Sequence, residues 1–175
     1  CNKWFLTTEF RITAIMLNEI VLLHMISLIF LGYPMLQKAS EIDFPILIDI
    51  WERSVRATHD FLPEEEINNL KPLILNQYFH HVLLHKYVKD GKIVGFIGTS
   101  SDNIEMLFID PEFRGKGVGR VLTNFAVTEL KIEKVDVNEQ NLQAVGFYEK
   151  LGFKVIGRSE LDGQGKPYPI LHLKI

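Results

Sequence analysis

The chain of 175 residues is 47% hydrophobic and 23% charged, the values of a folded domain with one core and too few residues for two comfortable ones. Its formal net charge of −3 argues against a nucleic-acid surface, which needs a basic patch. The single cysteine, Cys1, excludes an intrachain disulfide framework and a cysteine zinc site, and fits a reducing, cytoplasmic setting.

Residues 1–34 stand apart. An apolar run from Ile12 to Leu31 is broken by Asn18, Glu19 and His24. Its length would span a bilayer, but a glutamate near the middle is costly there. No small-residue cleavage site marks a signal peptide. The expectation is an N-terminal extension over 1–34 that lies outside the folded domain, non-native or a hydrophobic helix, with a membrane anchor as the second reading. The domain itself is expected over 35–175.

From Met35 the organisation is regular. A first short strand leads to Ser40-Glu-Ile-Asp43, which fits a capping box, and Pro45 suits a first helical turn. Phe44, Leu47, Ile48, Trp51 and Val55 then make a helical stripe. Pro63-Glu-Glu-Glu66 opens a second helix, its acidic residues at the positive end of the dipole, with Ile67, Leu70 and Ile74 facing inward and Pro72 bending it. His81 to Lys89 reads as a strand, Asp90-Gly91 as a hairpin turn, and Lys92 to Thr99 as the partner strand. Asn103 to Asp110 is the central strand. A helix follows to about Lys131, with Val118, Val121, Leu122, Phe125, Ala126 and Leu130 at helical spacing. Lys134 to Val137 is a short strand, Asn141 begins a fourth helix, and Phe153 to Arg158 and Tyr168 to Leu173 close the sheet. His80, His81 and His85 do not make a metal site, because no carboxylate or cysteine completes one at ligand spacing.

The chemistry concentrates between the central strand and the third helix, at Arg114-Gly-Lys-Gly117-Val-Gly119. Glycine tolerates positive φ and lets a ligand reach the backbone. The first turn of a helix offers unpaired N–H groups and the positive end of its dipole, which favour an anion such as diphosphate. Arg114 and Lys116 add positive charge. A P-loop would need G-x-x-x-x-G-K-[ST], and a dinucleotide fold G-x-G-x-x-G early in a βαβ unit; neither is present.

The R-x-x-G-x-G run after a strand ending Phe-Ile-Asp-Pro resembles the acetyl-CoA signature of the GNAT superfamily of N-acetyltransferases. Asn141-Leu-Gln-Ala144-Val-Gly-Phe147-Tyr148-Glu-Lys-Leu-Gly152-Phe153 resembles its second hallmark. Met35 to Ala39 is similar to the first strand of such domains. Trp51 to Leu62 and Gly165-Lys-Pro-Tyr168-Pro169 resemble the YjaB-like branch. The resemblance covers essentially all of 35–175 and implies an α/β (α+β) GNAT fold: a mixed sheet of about six to seven strands, splayed at an acetyl-CoA slot and flanked by helices.

What the resemblance implies about function is specific. Acetyl-CoA would be the donor, with no metal, and acetyl would pass by direct attack to an amine of a small molecule, a protein lysine or an N-terminus. The backbone of Leu107, Phe108 and Ile109 would pair with the pantetheine arm. Arg114, Gly115, Lys116, Gly117, Val118 and Gly119 would hold the diphosphate, and Asn141 would reach the pantetheine. Tyr148 would protonate the leaving thiolate, its other reading being a core tyrosine. For the base, Glu105 and His59 both stand. Thr58, His59, Asp60 and Tyr168 would wall the acceptor site. Homodimers are common in the family. The alternative is a coenzyme A-binding sensor or partner module without turnover.

Overall fold

The computed structural model describes residues 21–23 and 35–175. The expected extension over 1–34 lies outside the described residues, apart from Val21, Leu22 and Leu23, which are helical and exposed. Among the described residues no helix is long and apolar enough to cross a membrane. Residues 36–88 and 93–175 form one compact unit, which holds both cores and the cleft described below. Of the other unit, the described residues include the turn at 89–92, where Asp90 (φ 51°) and Gly91 (φ 72°) are both left-handed, as a two-residue hairpin turn requires.

Over residues 35–175, seven strands and four α-helices follow one another in the order the sequence predicts. They are β1 (Met35–Lys38), α1 (Phe44–Arg56), α2 (Glu64–Asn76), β2 (Leu83–Lys89), β3 (Lys92–Thr99), β4 (Asn103–Ile109), α3 (Val118–Thr128), β5 (Lys134–Asn138), α4 (Leu142–Lys150), β6 (Lys154–Ser159) and β7 (Ile170–Lys174). The sheet runs β1-β2-β3-β4-β5-β7-β6. It is mixed: β4 pairs parallel with β5, while β3 with β4, β5 with β7 and β6 with β7 are antiparallel.

Each helix pair covers its own core. Leu47, Trp51, Ile67, Ile74 and Phe79 pack with Leu84 and Phe96 under α1 and α2. Leu122, Ala126 and Tyr148 pack with Val135, Val137, Phe153 and Leu173 under α3 and α4. The entry to α1 is fixed as expected: Ser40 N–H donates to Asp43 Oδ2 at 2.9 Å, and Pro45 sits in the first turn. Asp43 is buried and held by Lys86 of β2 at 2.6 Å.

Three local expectations are corrected. α3 ends at Thr128 rather than near Lys131, because the chain turns through a left-handed Lys131 (φ 60°). Val121, placed on its apolar face by spacing, is exposed. β2 begins at Leu83, since Tyr78–His80 form a single 3-10 turn and His81 Nδ1 is 2.7 Å from Gln77 O. As the inward-facing Ile67 and Ile74 predict, α2 continues through Pro72 to Asn76, since proline removes one N–H but leaves the rest of the ladder in place.

Candidate acetyl-donor cleft

β4 and β5 pair only at Asn103 with Lys134 and Ile104 with Val135, after which they part. The parting coincides with an irregularity on the other edge of β4. Gly98 is opposite Met106 and Thr99 opposite Ile104, so Glu105 is one extra residue, a β-bulge. A bulge shifts the alternation of side chains by one. Ile104, Leu107 and Ile109 therefore face the α3/α4 core, while Met106 and Phe108 face the α1/α2 core.

A cleft of about 460 Å³ occupies the gap. One wall is β4 from Glu105 to Ile109, the opposite wall is Asp136, Val137 and Asn138 of β5. The start of α3 and the inner face of α4 close one end, and Ser54, Thr58 and His59 reach in from the end of α1. The cradle residues sit at the α3 end. Gly115 (φ 73°) and Gly117 (φ 86°) are left-handed, and a Cβ on either would meet nothing within 4 Å. Their role is thus conformational: they turn the chain so that Gly117 caps α3 and the first-turn N–H groups of Val118, Gly119 and Arg120 have no intrahelical acceptor. Gly119 is different, since a Cβ there would lie 3.3 Å from Phe147 Cζ, so it permits α3 and α4 to approach closely. These features fit a diphosphate.

Most of the predicted residues meet in this cleft: Thr58, His59, Glu105, Leu107, Phe108, Ile109, Arg114, Gly115, Gly117, Val118, Gly119, Asn141 and Tyr148 all line it. Three do not. Lys116 places Nζ over the Phe113 ring at 4.9 Å. Asp60 is exposed, and Tyr168 packs against Phe61 at 6.2 Å between ring centres. The sequence reading also left out Phe113, Arg120, Gln143 and Phe147, which line the cleft too. Arg114 Nη2 donates to Gln143 Oε1 at 2.5 Å, a contact between α3's approach and α4 that no motif encodes.

Asn141 caps α4, its Oδ1 accepting from Ala144 N–H at 3.1 Å. That bond fixes the amide orientation, so Nδ2 points outward, 3.4 Å from His59 Nε2. Thr58 Oγ1 donates to Ser54 O at 2.8 Å and is 2.8 Å from His59 Nδ1. Having spent its proton on Ser54, the Thr58 oxygen accepts from Nδ1–H, leaving Nε2 as an acceptor toward Asn141. Burial first, and then the positive charge of Arg114, lower the His59 pKa to about 4. His59 is a neutral imidazole at ordinary pH.

Tyr148 is 4% exposed. Its ring packs edge-on against Phe147 and Phe153 with centres 5.0 and 5.4 Å away, and burial pushes its pKa well above the ordinary tyrosine value. Its hydroxyl makes no hydrogen bond to a described residue, so the O–H is free to donate into the cleft it lines. Glu105 Oε1 accepts from Ser100 Oγ at 2.7 Å. The three histidines take separate paths: His80 is 3.7 Å from Glu41, His81 bonds Gln77 O, and His85 packs on Phe125. Among the described residues no group of three or more His, Cys, Asp or Glu is placed to hold a metal ion.

A mixed sheet opened at its parallel step, with a glycine-turned helix start at the opening, defines a transferase that binds a nucleotide-linked thioester. Residues 56–167 match the family model of the acetyltransferase (GNAT) domain, and the chain belongs to that family. It is 49% identical over 127 residues to the peptidyl-lysine N-acetyltransferase YjaB of Escherichia coli, covering 73% of this chain and 86% of that one. The solution structure of apo-form YjaB from Escherichia coli superposes with a TM-score of 0.73 at 44% identity, covering 81% of this chain and 96% of that one. The PaiA N-acetyltransferase of Thermoplasma acidophilum in complex with coenzyme A gives a TM-score of 0.64 at 25% identity, covering 81% and 99%. The chain is an N-acetyltransferase with acetyl-CoA as its donor.

Proposed function

We propose that the acceptor is a lysine side chain on a protein, and that the cleft between β4 and β5 is where donor and amine meet. The observation that carries this reading is the run of the cleft from the cradle at Gly115–Gly119, past the open main chain of Leu107–Ile109, to the Tyr148 hydroxyl. The 49% identity to a peptidyl-lysine acetyltransferase supports the acceptor class.

The parts divide the work as follows. The first-turn N–H groups of α3, with Arg114, hold the diphosphate. The β4 main chain beyond Ile104, which has no partner strand on its β5 side, takes the pantetheine arm as an added strand. Its N–H groups polarise the thioester carbonyl. A lysine amine has a pKa near 10 and reaches the site protonated. Glu105, at the bulge where the strands part, is the group that takes its proton, since the His59 Nε2 lone pair is already engaged by Asn141 Nδ2 and burial holds its pKa near 4. The neutral nitrogen then forms the C–N bond, the C–S bond breaks as Tyr148 protonates the thiolate, and the proton that the amide nitrogen sheds restores the Tyr148 hydroxyl. Thr58 and His59 wall the acceptor end, with Asp60 and Tyr168 outside the cleft available to the protein around the lysine.

A cytoplasmic setting fits a chain with the single cysteine Cys1. Incubation with acetyl-CoA and lysine-containing peptides or whole proteins tests the proposal: thiol release with mass gain on lysine is expected. Coenzyme A binding without single-turnover transfer to any amine would instead establish a sensor or partner module.

A further inference from the structure

Asp136, His172 and Ser159 form an unbroken chain across three neighbouring strands, β5, β7 and β6. Val135, Val137 and Leu173 are buried in the α3/α4 core with Leu171 packed against them, so Asp136 and His172 between them turn to the opposite face. The α1/α2 core takes no residue from these three strands, and that face is open, with the Asp136 and His172 side chains 46% and 37% exposed.

Register brings the three together. His172 is directly opposite Asp136 on one side and Gly157 on the other. The imidazole lies against the bare Gly157 backbone, Cδ2 being 3.4 Å from where a Cβ would stand, which leaves the ring room to reach Ser159. His172 Nδ1 is 2.7 Å from Asp136 Oδ1, and Nε2 is 2.8 Å from Ser159 Oγ. A carboxylate only accepts, so Nδ1 carries the proton, Nε2 keeps its lone pair, and the Ser159 hydroxyl donates to it. Nucleophile, base and orienting acid thus stand in the order and spacing that activate a serine. β6 is the edge strand, so its outer N–H groups are unpaired within the sheet.

We propose that Ser159 is an acylatable nucleophile and that this face hydrolyses small activated acyl esters, separately from amine acetylation. In the first half, Ser159 Oγ bonds to the acyl carbon while its proton passes to His172 Nε2. The ester C–O bond breaks and the departing oxygen takes that proton. In the second half, water adds to the acyl-serine, gives its proton to Nε2, and the acid leaves as Oγ recovers the proton.

The test uses p-nitrophenyl acetate with the full chain, reading nitrophenol release and the mass of the intact protein. A burst, one added acetyl group on Ser159, and a loss of about 10²-fold or more in both Ser159→Ala and His172→Gln are expected. Ser159→Ala should keep wild-type amine acetylation. A fluorophosphonate should label Ser159 in the wild type and fail in His172→Gln. Hydrolysis at the wild-type rate in Ser159→Ala, an adduct on another residue, or no fluorophosphonate labelling overturns the proposal. An adduct formed from acetyl-CoA and lost in Gly117→Val also overturns it, because Ser159 would then be filled from the donor cleft.

Discussion

His59 Nε2 faces Asn141 Nδ2 at 3.4 Å, joining the end of α1 to the cap of α4 across the mouth of the donor cleft. Both side chains are oriented from behind: His59 by Thr58, and Asn141 by Ala144 N–H. The contact needs an unprotonated Nε2, since an imidazolium would set two donors against each other. Burial supplies that condition by holding the pKa near 4 against an ordinary 6.5.

A pH dependence follows. Between pH 6.5 and about 4 the unfolded chain binds a proton at His59 that the folded chain refuses, so stability falls as pH drops through that window. The loss is on the order of 2 kcal/mol once exposure is allowed for. His59→Asn removes the titration, and its melting temperature should fall less than that of the wild type between pH 7 and pH 4.5, by scanning calorimetry.

Tyr148→Phe removes only an oxygen that hydrogen-bonds to no described residue. Folding stability and coenzyme A affinity should stay near wild type, while the chemical step slows by about 10²- to 10⁴-fold. Rapid-quench single turnovers against calorimetric binding separate the two. A wild-type rate in the variant means that another group protonates the thiolate.

At Gly117 the obstacle to substitution is conformation rather than space, since φ is 86° and nothing lies within 4 Å of a Cβ. Gly117→Ala should therefore cost about 1–2 kcal/mol, while the β-branched Gly117→Val should either lose the left-handed turn or unfold the start of α3. Coenzyme A binding by calorimetry should weaken in alanine and vanish in valine.

Lys86→Met strands a buried carboxylate. Asp43 is 6% exposed, and although burial alone would raise its pKa, the hydrogen bonds from Lys86 and Ser40 carry it below its ordinary 3.8. The wild-type pair stabilises above the unfolded value and is lost as pH falls through the folded one. Breaking it should cost about 3 kcal/mol in urea denaturation at pH 7. Acetyl transfer at saturating donor should persist where the variant is folded.

Periodicity and caps made most of the fold readable: the α1 stripe, the Asp90-Gly91 turn, the Asn141 cap and the order of strands all stand where local pattern put them. The misses share a cause. Leu130 keeps helical spacing beyond α3, yet the backbone leaves the helix at Thr128, because spacing does not register a left-handed turn at a lysine. The bulge at Glu105 inserts one residue in a strand whose apolar run reads smoothly, so only the register against Gly98 and Thr99 reveals it. The site was legible where it depends on backbone, at Gly115 and Gly117, and less so where it depends on long-range side-chain contacts. Nothing local joins Arg114 to Gln143, His59 to Asn141, or Lys166 to Glu66. Tyr168, assigned to the acceptor wall by the resemblance, packs against Phe61 outside the cleft.

Two rungs of pairing, at 103–134 and 104–135, are all that stitches β4 to β5. The middle of the sheet is thus a seam left half sewn, and in the proposed binding mode the donor's own amide-bearing arm is the thread that finishes it. On that reading, amides along that edge should trade protons with solvent until the thioester arrives and then fall silent, which hydrogen exchange with and without donor reads.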